Sequence, residues 1–227
     1  MTAVRLVDLV ADVRSRADMI ASAFVDDATE VIRYINEEAA KLHDLVVSRF
    51  EDQYTTVTGS IVVSGASSIA VTNAAFTGFY KLRGIDRQES GAGDWREIKP
   101  FNFNMRNRRA SGSSWYRSRE IQYRLVGANI LLTPDDACDG TYRVWYIPSF
   151  VPLAADGDTV DFPQNWHEFI TAGAAAKCLS KEESDPNGQL RMQADVRATI
   201  MAMAANRDAG HRMRIEDVRS RINEDDD

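Results

Sequence analysis

Histidine and cysteine are the side chains most often used for metal binding and nucleophilic catalysis, and this chain has few of them. It contains three histidines and two cysteines: His43, His167, His211, Cys138 and Cys178. None stands at a metal-ligand spacing, and no histidine has a cysteine nearby. His43, beside Asp44 in a predicted helix, is expected to lie on the surface, and His167 is expected to be structural. The pattern therefore predicts neither a metal site nor a nucleophile.

Glycine-rich and acidic stretches are the next candidates for a binding site. Residues 65–68 (Gly-Ala-Ser-Ser) lack the lysine of a phosphate-binding loop, and residues 91–94 (Gly-Ala-Gly-Asp) are typical of a hairpin tip. Asp135, Asp136 and Asp139 cluster in a turn, where acidic side chains usually bond to their own backbone, and this interpretation is favoured over a calcium site. We therefore expect no catalytic residues, no cofactor and no metal, so that the protein is not an enzyme.

An arginine-rich segment is the first unusual feature. Between Glu97 and Glu120 the chain has no acidic residue, and aromatic, glycine and serine residues are interleaved with the cations. This composition is typical of binding loops for proteins or nucleic acids. A protein interface is favoured, closely followed by an exposed hairpin whose arginines pair with acids elsewhere, with DNA contact third. The candidate residues are Arg106, Arg108, Arg109, Trp115, Arg117 and Arg119.

The C-terminal tail is the second unusual feature. Apolar residues recur there near helical spacing and alternate with arginines, but the segment is too short and too charged to form its own core. A peptide that orders on a partner is favoured over a frayed terminus. The candidate residues are Arg212, Met213, Arg214, Ile215, Val218 and Ile222.

The chain divides into a helical region, a strand-rich region and a second helical region, which predicts an α+β fold. Residues 1–52 and 163–210 are predicted to form a four-helix bundle. Residues 53–147 are predicted to form an inserted antiparallel β sandwich or barrel of roughly six to eight strands. Residues 148–162 form a connector, and residues 211–227 form an extended C-terminal docking tail.

Three local patterns refine the helices. Asp27 and Glu30 have the spacing of a capping box at the start of the second helix. Residues 171–176 (Thr-Ala-Gly-Ala-Ala-Ala) would let another backbone approach the third helix closely. Leu190, together with Val196, Ile200, Met203 and Ala204, is predicted to form the packed stripe of the fourth helix.

Composition and charge exclude several classes of protein. The net charge of -7 disfavours a dedicated duplex binder, because affinity for nucleic acid depends on cationic contacts to phosphate. No apolar run is long enough to span a bilayer, and Asp8 and Asp12 interrupt the N-terminal apolar stretch, so no signal peptide is expected. With two cysteines that we expect to be reduced, the chain fits a protein made in a cytoplasm.

The layout resembles the head-to-tail adaptor (connector) proteins of tailed bacteriophages, especially the larger type of short-tailed phages. One helix, a short break, an acidic cap and a helix carrying an apolar–Asn pair (Ile35-Asn36) open the chain. Later, Tyr146-Ile147-Pro148, the apolar Leu153, the acidic turn at residues 156–158 and a proline-led helix at residues 162–170 follow in the adaptors' usual order. The resemblance covers nearly the whole chain.

The resemblance implies a structural role in the virion, at the head–tail junction, for a protein made in the cytoplasm of the bacterial host. Such adaptors form a ring, usually dodecameric, between the portal protein and the tail tube or nozzle, and their channel passes the genome without specific DNA binding. The helical part would build the ring, with residues 171–176 and the arginine-rich segment as candidate surfaces for a neighbouring subunit or a tail protein. The C-terminal tail would reach the portal, and no membrane contact is expected.

Two other functions remain open from the residues alone. The chain could be another tail or baseplate structural protein, which would differ from an adaptor in stoichiometry and portal binding. A ligand-binding module is the third hypothesis, and it would require an isolated chain to bind a carbohydrate or nucleic acid.

Overall fold

The computed structural model describes residues 2–19, 25–89, 93–102, 104, 120–162 and 166–204. The α-helices in this part of the chain are α1 (Leu6–Arg16), α2 (Ile32–Val47), α3 (His167–Lys181) and α4 (Asn187–Ala204). The strands are β1 (Thr2–Arg5), β2 (Thr56–Val57), β3 (Ile61–Val63), β4 (Ser68–Ala70), β5 (Lys81–Gln88), β6 (Trp95–Pro100), β7 (Gln122–Val126), β8 (Asn129–Thr133), β9 (Gly140–Ile147) and β10 (Thr159–Phe162).

The cap that precedes the second helix lies one residue earlier than the capping-box spacing predicts. Asp26 Oδ2 accepts hydrogen bonds from the Thr29 backbone N–H at 3.1 Å and the Thr29 hydroxyl at 2.7 Å, and the Asp26 N–H donates to Glu30 Oε2 at 3.3 Å. A π-helical turn, Asp27–Val31, precedes α2 and widens the spacing of the reciprocal pair to four residues. Asp26 therefore caps this turn.

The prediction of a four-helix bundle is wrong. In such a bundle each helix buries one apolar stripe. Instead, α3 is central and packs against α1, α2 and α4, so that it is buried round nearly its whole circumference. Its buried residues are Phe169, Ile170, Thr171, Ala172, Gly173, Ala174, Ala175, Ala176 and Cys178.

A two-stranded ribbon takes part in the same core and further separates this fold from a bundle. Strand β1 pairs antiparallel with β10, with Thr2 opposite Phe162 and Arg5 opposite Thr159. Val160 and Phe162 belong to the hydrophobic cluster formed by the helices. We call α1 to α4 together with this ribbon the helical module.

The β-rich region is one curled mixed sheet of eight strands rather than the predicted antiparallel sandwich or barrel. The strand order is β2-β9-β5-β6-β7-β8-β4, with β3 also paired to β9. Strands β6 and β7 run parallel, with Lys99 opposite Gln122. Strands β3 and β4 pair with β9 and β8, near opposite ends of the order, yet only residues 64–67 separate them. The sheet has to curl to allow this, and we call β2 to β9 the sheet module.

The two modules have separate hydrophobic cores among the described residues. The helical module buries a cluster that includes Leu9, Ile35, Phe162 and Trp166. The sheet module buries a cluster on its concave side, which includes Ile85, Ile98, Ile130, Leu132 and Tyr142. The relative position of the modules therefore depends on the residues at their junction, which are described below.

A buried carboxylate links three helices of the helical module. Glu38 on α2 is 2% exposed and accepts hydrogen bonds at 2.8 Å from each of Lys41, Lys177 on α3 and Gln193 on α4. Burial by itself would raise the pKa of Glu38, but the hydrogen bonds from these three side chains outweigh it and hold the pKa below its usual range. Gly173 makes the arrangement possible, because a Cβ there would collide with the Gln193 amide and lie 2.7 Å from Glu38 Oε2.

We predict that Glu38→Gln lowers the free energy of unfolding by about 1–3 kcal/mol at neutral pH, because buried hydrogen bonds to a charged group are lost. Glu37→Gln is the matched control: Glu37 also pairs with Lys177, but its side chain is 48% exposed, so the loss should stay below about 1 kcal/mol. Urea unfolding measures both.

The effect of Glu38→Gln should also depend on pH. A carboxyl whose pKa is lowered by folding stabilises the fold above its unfolded pKa, and this contribution disappears as pH falls through the folded value. The difference between wild type and Glu38→Gln should therefore shrink below about pH 4.3. Equal losses for the two variants at neutral pH would contradict the role assigned to Glu38.

Candidate functional site

The connector is attached to α2 by a pair of reciprocal hydrogen bonds. Asn36 Nδ2 donates to the Leu153 carbonyl at 2.9 Å, and the Leu153 N–H donates to Asn36 Oδ1 at 2.8 Å. The amide thus pairs with the connector backbone as a neighbouring strand would. Asn36 and Leu153 both belong to the motifs on which the adaptor resemblance was based, and the fold brings them into contact across 117 positions of sequence.

The acidic turn of the connector is fixed by its own aspartate and by the start of α1. Asp158 Oδ2 accepts backbone hydrogen bonds from Ala154 at 2.7 Å and Ala155 at 2.9 Å, and these bonds hold the pKa of the Asp158 carboxyl below its usual range. The Leu6 N–H donates to the Asp158 carbonyl at 2.8 Å, which satisfies a free donor of the first turn of α1. The connector is therefore an ordered part of the helical module.

His43 lies at the junction of the two modules, which corrects its prediction as a surface residue. Its side chain is 11% exposed, and its ring lies 5.6 Å from Tyr80 and 6.4 Å from both Tyr54 and Phe150, measured between centroids. Burial lowers the pKa of His43, and Asp44, 3.9 Å away, offsets this in part. The surface interpretation failed because the residues that cover His43 come from distant parts of the chain.

Charged side chains cross the same junction at the surface. Glu51, which follows α2, pairs with Lys81 and Arg83 of β5, and Asp52 lies 2.5 Å from Arg83. Such exposed pairs contribute little stability each. Because each pair joins opposite charges from the two modules, the pairs help to define one orientation between the modules.

The small residues of α3 do not form a surface for a neighbouring subunit. Ala172, Gly173, Ala174 and Ala175 are buried within the chain, where they allow α1, α2 and α4 to approach α3. The close approach that the sequence predicted does occur, but it takes place inside one molecule. Residues 171–176 are therefore withdrawn as a candidate ring surface.

Helix α4 presents an extended face to solvent. Of its side chains that the structure describes, Ile200 alone is buried, while Leu190 is 46%, Met192 37% and Met203 41% exposed. Leu190 and Met203 therefore lie outside the packed stripe that the sequence predicted. Polar bonds supply much of the attachment: Gln189 donates to the Arg16 carbonyl at 3.2 Å, and Gln193 bonds to Glu38. This face is a candidate partner-binding surface.

The outer face of the sheet carries a second candidate surface. Asp86 accepts hydrogen bonds from Arg143 Nε and Trp145 Nε1, both at 2.7 Å. The Arg143 guanidinium lies 4.6 Å from the Trp95 ring centroid and 5.3 Å from that of Trp145. Tryptophan and arginine are frequent at the energetic centres of protein interfaces. The sequence gives no signal for this cluster, because its members lie on three different strands.

The twelve partner-binding residues proposed from the sequence lie outside the described residues. Six fall within residues 105–119 and six within residues 205–227. The described residues do fix where these segments begin. Lys99 and Gln122 are opposite each other in the sheet, so the arginine-rich segment leaves and returns at one point, and the C-terminal segment follows the exposed helix α4.

The described residues contain no arrangement typical of an active site. No group of three or more metal-binding side chains occurs among them, and Cys138 and Cys178 are both buried and are not joined in a disulfide. Asp139, from the predicted acidic turn, accepts the Gly65 N–H at 2.8 Å.

A groove of about 710 Å³ near the rim of the curled sheet is lined by Arg87, Glu89, Arg96, Glu97, Glu120 and Asp139, among others.

A comparison with known protein families identifies the family of the chain. The family model described as SU10 adaptor protein matches residues 4–221, nearly the whole chain. The chain belongs to the SU10 adaptor protein family. This membership is consistent with a phage head-to-tail adaptor, which is a structural component of the virion that interacts with portal and tail components. No curated protein matched the chain. None of the described helices is long and apolar enough to cross a membrane.

We predict that Asn36→Asp destabilises the protein by about 1–3 kcal/mol, because the carboxylate keeps the bond from the Leu153 N–H but faces the Leu153 carbonyl without a donor. Asn73→Asp is the control: Asn73 Oδ1 accepts the Ala75 N–H in an exposed turn, and aspartate can do the same, so its effect should stay within about 0.5 kcal/mol. Chemical unfolding compares the two. Similar unfolding midpoints would show that the reciprocal pair does not hold the connector.

Proposed function

We propose that this chain is the head-to-tail adaptor of a short-tailed phage. It forms a closed ring between the portal vertex and the tail nozzle or tube, and the ring encloses a channel for the genome. The family match over residues 4–221 is the observation that carries the proposal. The role is structural and involves no catalysis. A ring of identical copies needs two different surfaces on each chain that close by rotation, and the dodecamer is the copy number that we propose.

The charge and the surfaces of the chain support this role. A net charge of -7 disfavours tight binding to DNA, so the genome can pass the channel without a specific site. The exposed face of α4 and the Trp95–Arg143–Trp145 cluster are two different surfaces on different modules, as a ring with a portal side and a tail side requires.

Electron microscopy of the purified chain, alone and mixed with portal rings, tests the proposal. We expect closed rings seated coaxially on the portal, because the portal supplies a symmetric template even if the free chain is monomeric. A virion map that places this protein off the tail axis, or copies that bind the portal without closing a ring, would instead indicate another tail or baseplate component.

We also propose that Arg106, Arg108, Arg109, Trp115, Arg117 and Arg119 contact acidic groups of a neighbouring subunit or a tail protein. The same microscopy with Arg108→Glu and Arg109→Glu distinguishes the two partners. Lost ring closure assigns the segment to the neighbouring subunit, and closed rings that fail to take up the tail assign it to the tail protein. Normal rings with normal tails would contradict the proposal.

The C-terminal tail is proposed to dock on the portal. Met213, Ile215, Val218 and Ile222 would supply apolar anchors, while Arg212 and Arg214 would pair with acidic groups at the rim. Apolar anchors carry most of the affinity in such contacts, and rim charges mainly set orientation and the rate of capture.

Deleting residues 211–227 should abolish portal binding while it leaves the helix content and the melting temperature nearly unchanged, because the described core ends before this segment. Circular dichroism checks the fold, and cosedimentation with portal rings measures binding. A deletion spanning residues 224–227 is the control, since it removes four acidic residues and none of the proposed anchors. If the chain without residues 211–227 bound the portal with unchanged affinity, the helical module itself would have to face the portal.

A further inference from the structure

The junction between the two modules is built around one imidazole. Each module has its own hydrophobic cluster, and no described residue belongs to both clusters. Three separate parts of the chain meet at His43 of α2: Tyr54 from the turn after α2, Tyr80 from the position directly before β5 of the sheet module, and Phe150 from the connector. We call these four residues the joint. His43 is its centre, since all three rings contact it.

His43 also lies against the start of the connector, where the chain leaves the sheet module. Its ring also interacts with the backbone of Pro148, directly after the last residue of β9. Proline has no backbone N–H, so the polar backbone group of Pro148 is its carbonyl. His43 lies seven residues, or two helical turns, after Asn36, which binds Leu153. Two positions of α2, two turns apart, therefore face the connector.

The groups that face His43 provide little compensation for a positive charge. Among the described residues, Asp44 of α2 is the carboxylate paired with it, at 3.9 Å, and the Asp44 side chain is 60% exposed to solvent. The Asp44 carboxylate also interacts with the Tyr80 hydroxyl, which raises the pKa of that phenol. Tyr54 and Tyr80 are neutral phenols at physiological pH, and Phe150 and Pro148 carry no titratable group. A cation at His43 would be largely desolvated with one weak partner.

We propose that the protonation state of His43 controls the joint. The neutral imidazole holds the sheet module in one orientation on the helical module, and protonation of His43 loosens the joint. The proton adds a charge to a site enclosed by three aromatic rings, and opening the joint lets that charge reach water. The helical module has its own core and stays folded while the joint opens. This inference does not depend on the adaptor role.

The direction of the pH dependence follows from burial. Burial lowers the pKa of His43 in the closed joint, so the open joint binds the proton more tightly. The joint is therefore most stable above the ordinary histidine pKa of about 6.5. As pH falls from there towards the lower pKa of the closed joint, the equilibrium shifts towards the open joint by up to about tenfold per pH unit. Below that lower value no further shift occurs.

Hydrogen–deuterium exchange of the full chain tests the proposal, with labelling at about pH 7.5 and about pH 5.5, on either side of the ordinary histidine pKa. Labelling times are scaled to the intrinsic exchange rate at each pH. We expect residues 79–83 and 147–153 to lose protection at the lower pH, while α3 keeps its protection. His43→Gln, which stays neutral at both pH values and keeps a polar N–H group, should abolish this pH dependence. His167→Gln, a histidine replaced outside the joint, should leave it as in wild type.

Three results would overturn the proposal: unchanged protection of the joint at the lower pH, a loss of protection that persists in His43→Gln, or an equal loss in α3, which would indicate general acid unfolding. A proton NMR titration of the wild-type chain gives an independent measurement if His43→Gln folds poorly. The His43 ring protons should titrate below the ordinary histidine pKa. A value at or above about 6.5 would show that the imidazole is not penalised by burial.

Discussion

The helical module depends on the contact between a buried carboxylate and two other helices. Glu38 reaches Lys177 and Gln193 because α3 has a glycine, Gly173, where its neighbours come closest. Removing a carboxylate from water is costly unless several donors surround it, so Glu38 requires α2, α3 and α4 to take their places together. Apolar packing could tolerate several orientations of the weakly buried α4, whereas these hydrogen bonds specify one.

The need of a buried polar group for a partner also positions the connector and the sheet. A polar side chain of α2 that lies away from water needs a partner, and backbone groups of the connector provide it. Asn36 bonds both backbone groups of Leu153, and His43 lies against the backbone of Pro148. The hydrophobic effect stabilises the two cores without determining their relative position. Polar contacts made by a single helix, α2, restrict that position.

The sequence predicted local structure better than the arrangement of the elements. Patterns within a few residues were informative: the capping-box spacing predicted a cap at Asp27, and the structure has one at the preceding residue, Asp26. The four-helix bundle was wrong because helical periodicity shows that a helix is amphipathic but not which helices it contacts. His43 and the Trp95–Arg143–Trp145 cluster were missed for a related reason, since contacts between distant segments leave no spacing signal in one sequence.

The sheet module enters and leaves the helical module at adjacent points. Its first strand, β2, pairs antiparallel with the end of its last strand, β9, with Thr56 opposite Tyr146. The two backbone connections between the modules are therefore hydrogen-bonded neighbours. The whole sheet module is inserted in the helical module at one place. Domains can be inserted where the ends of a segment lie close together. The sheet module could consequently be enlarged, shortened or exchanged as one unit, and the helical module would keep its fold.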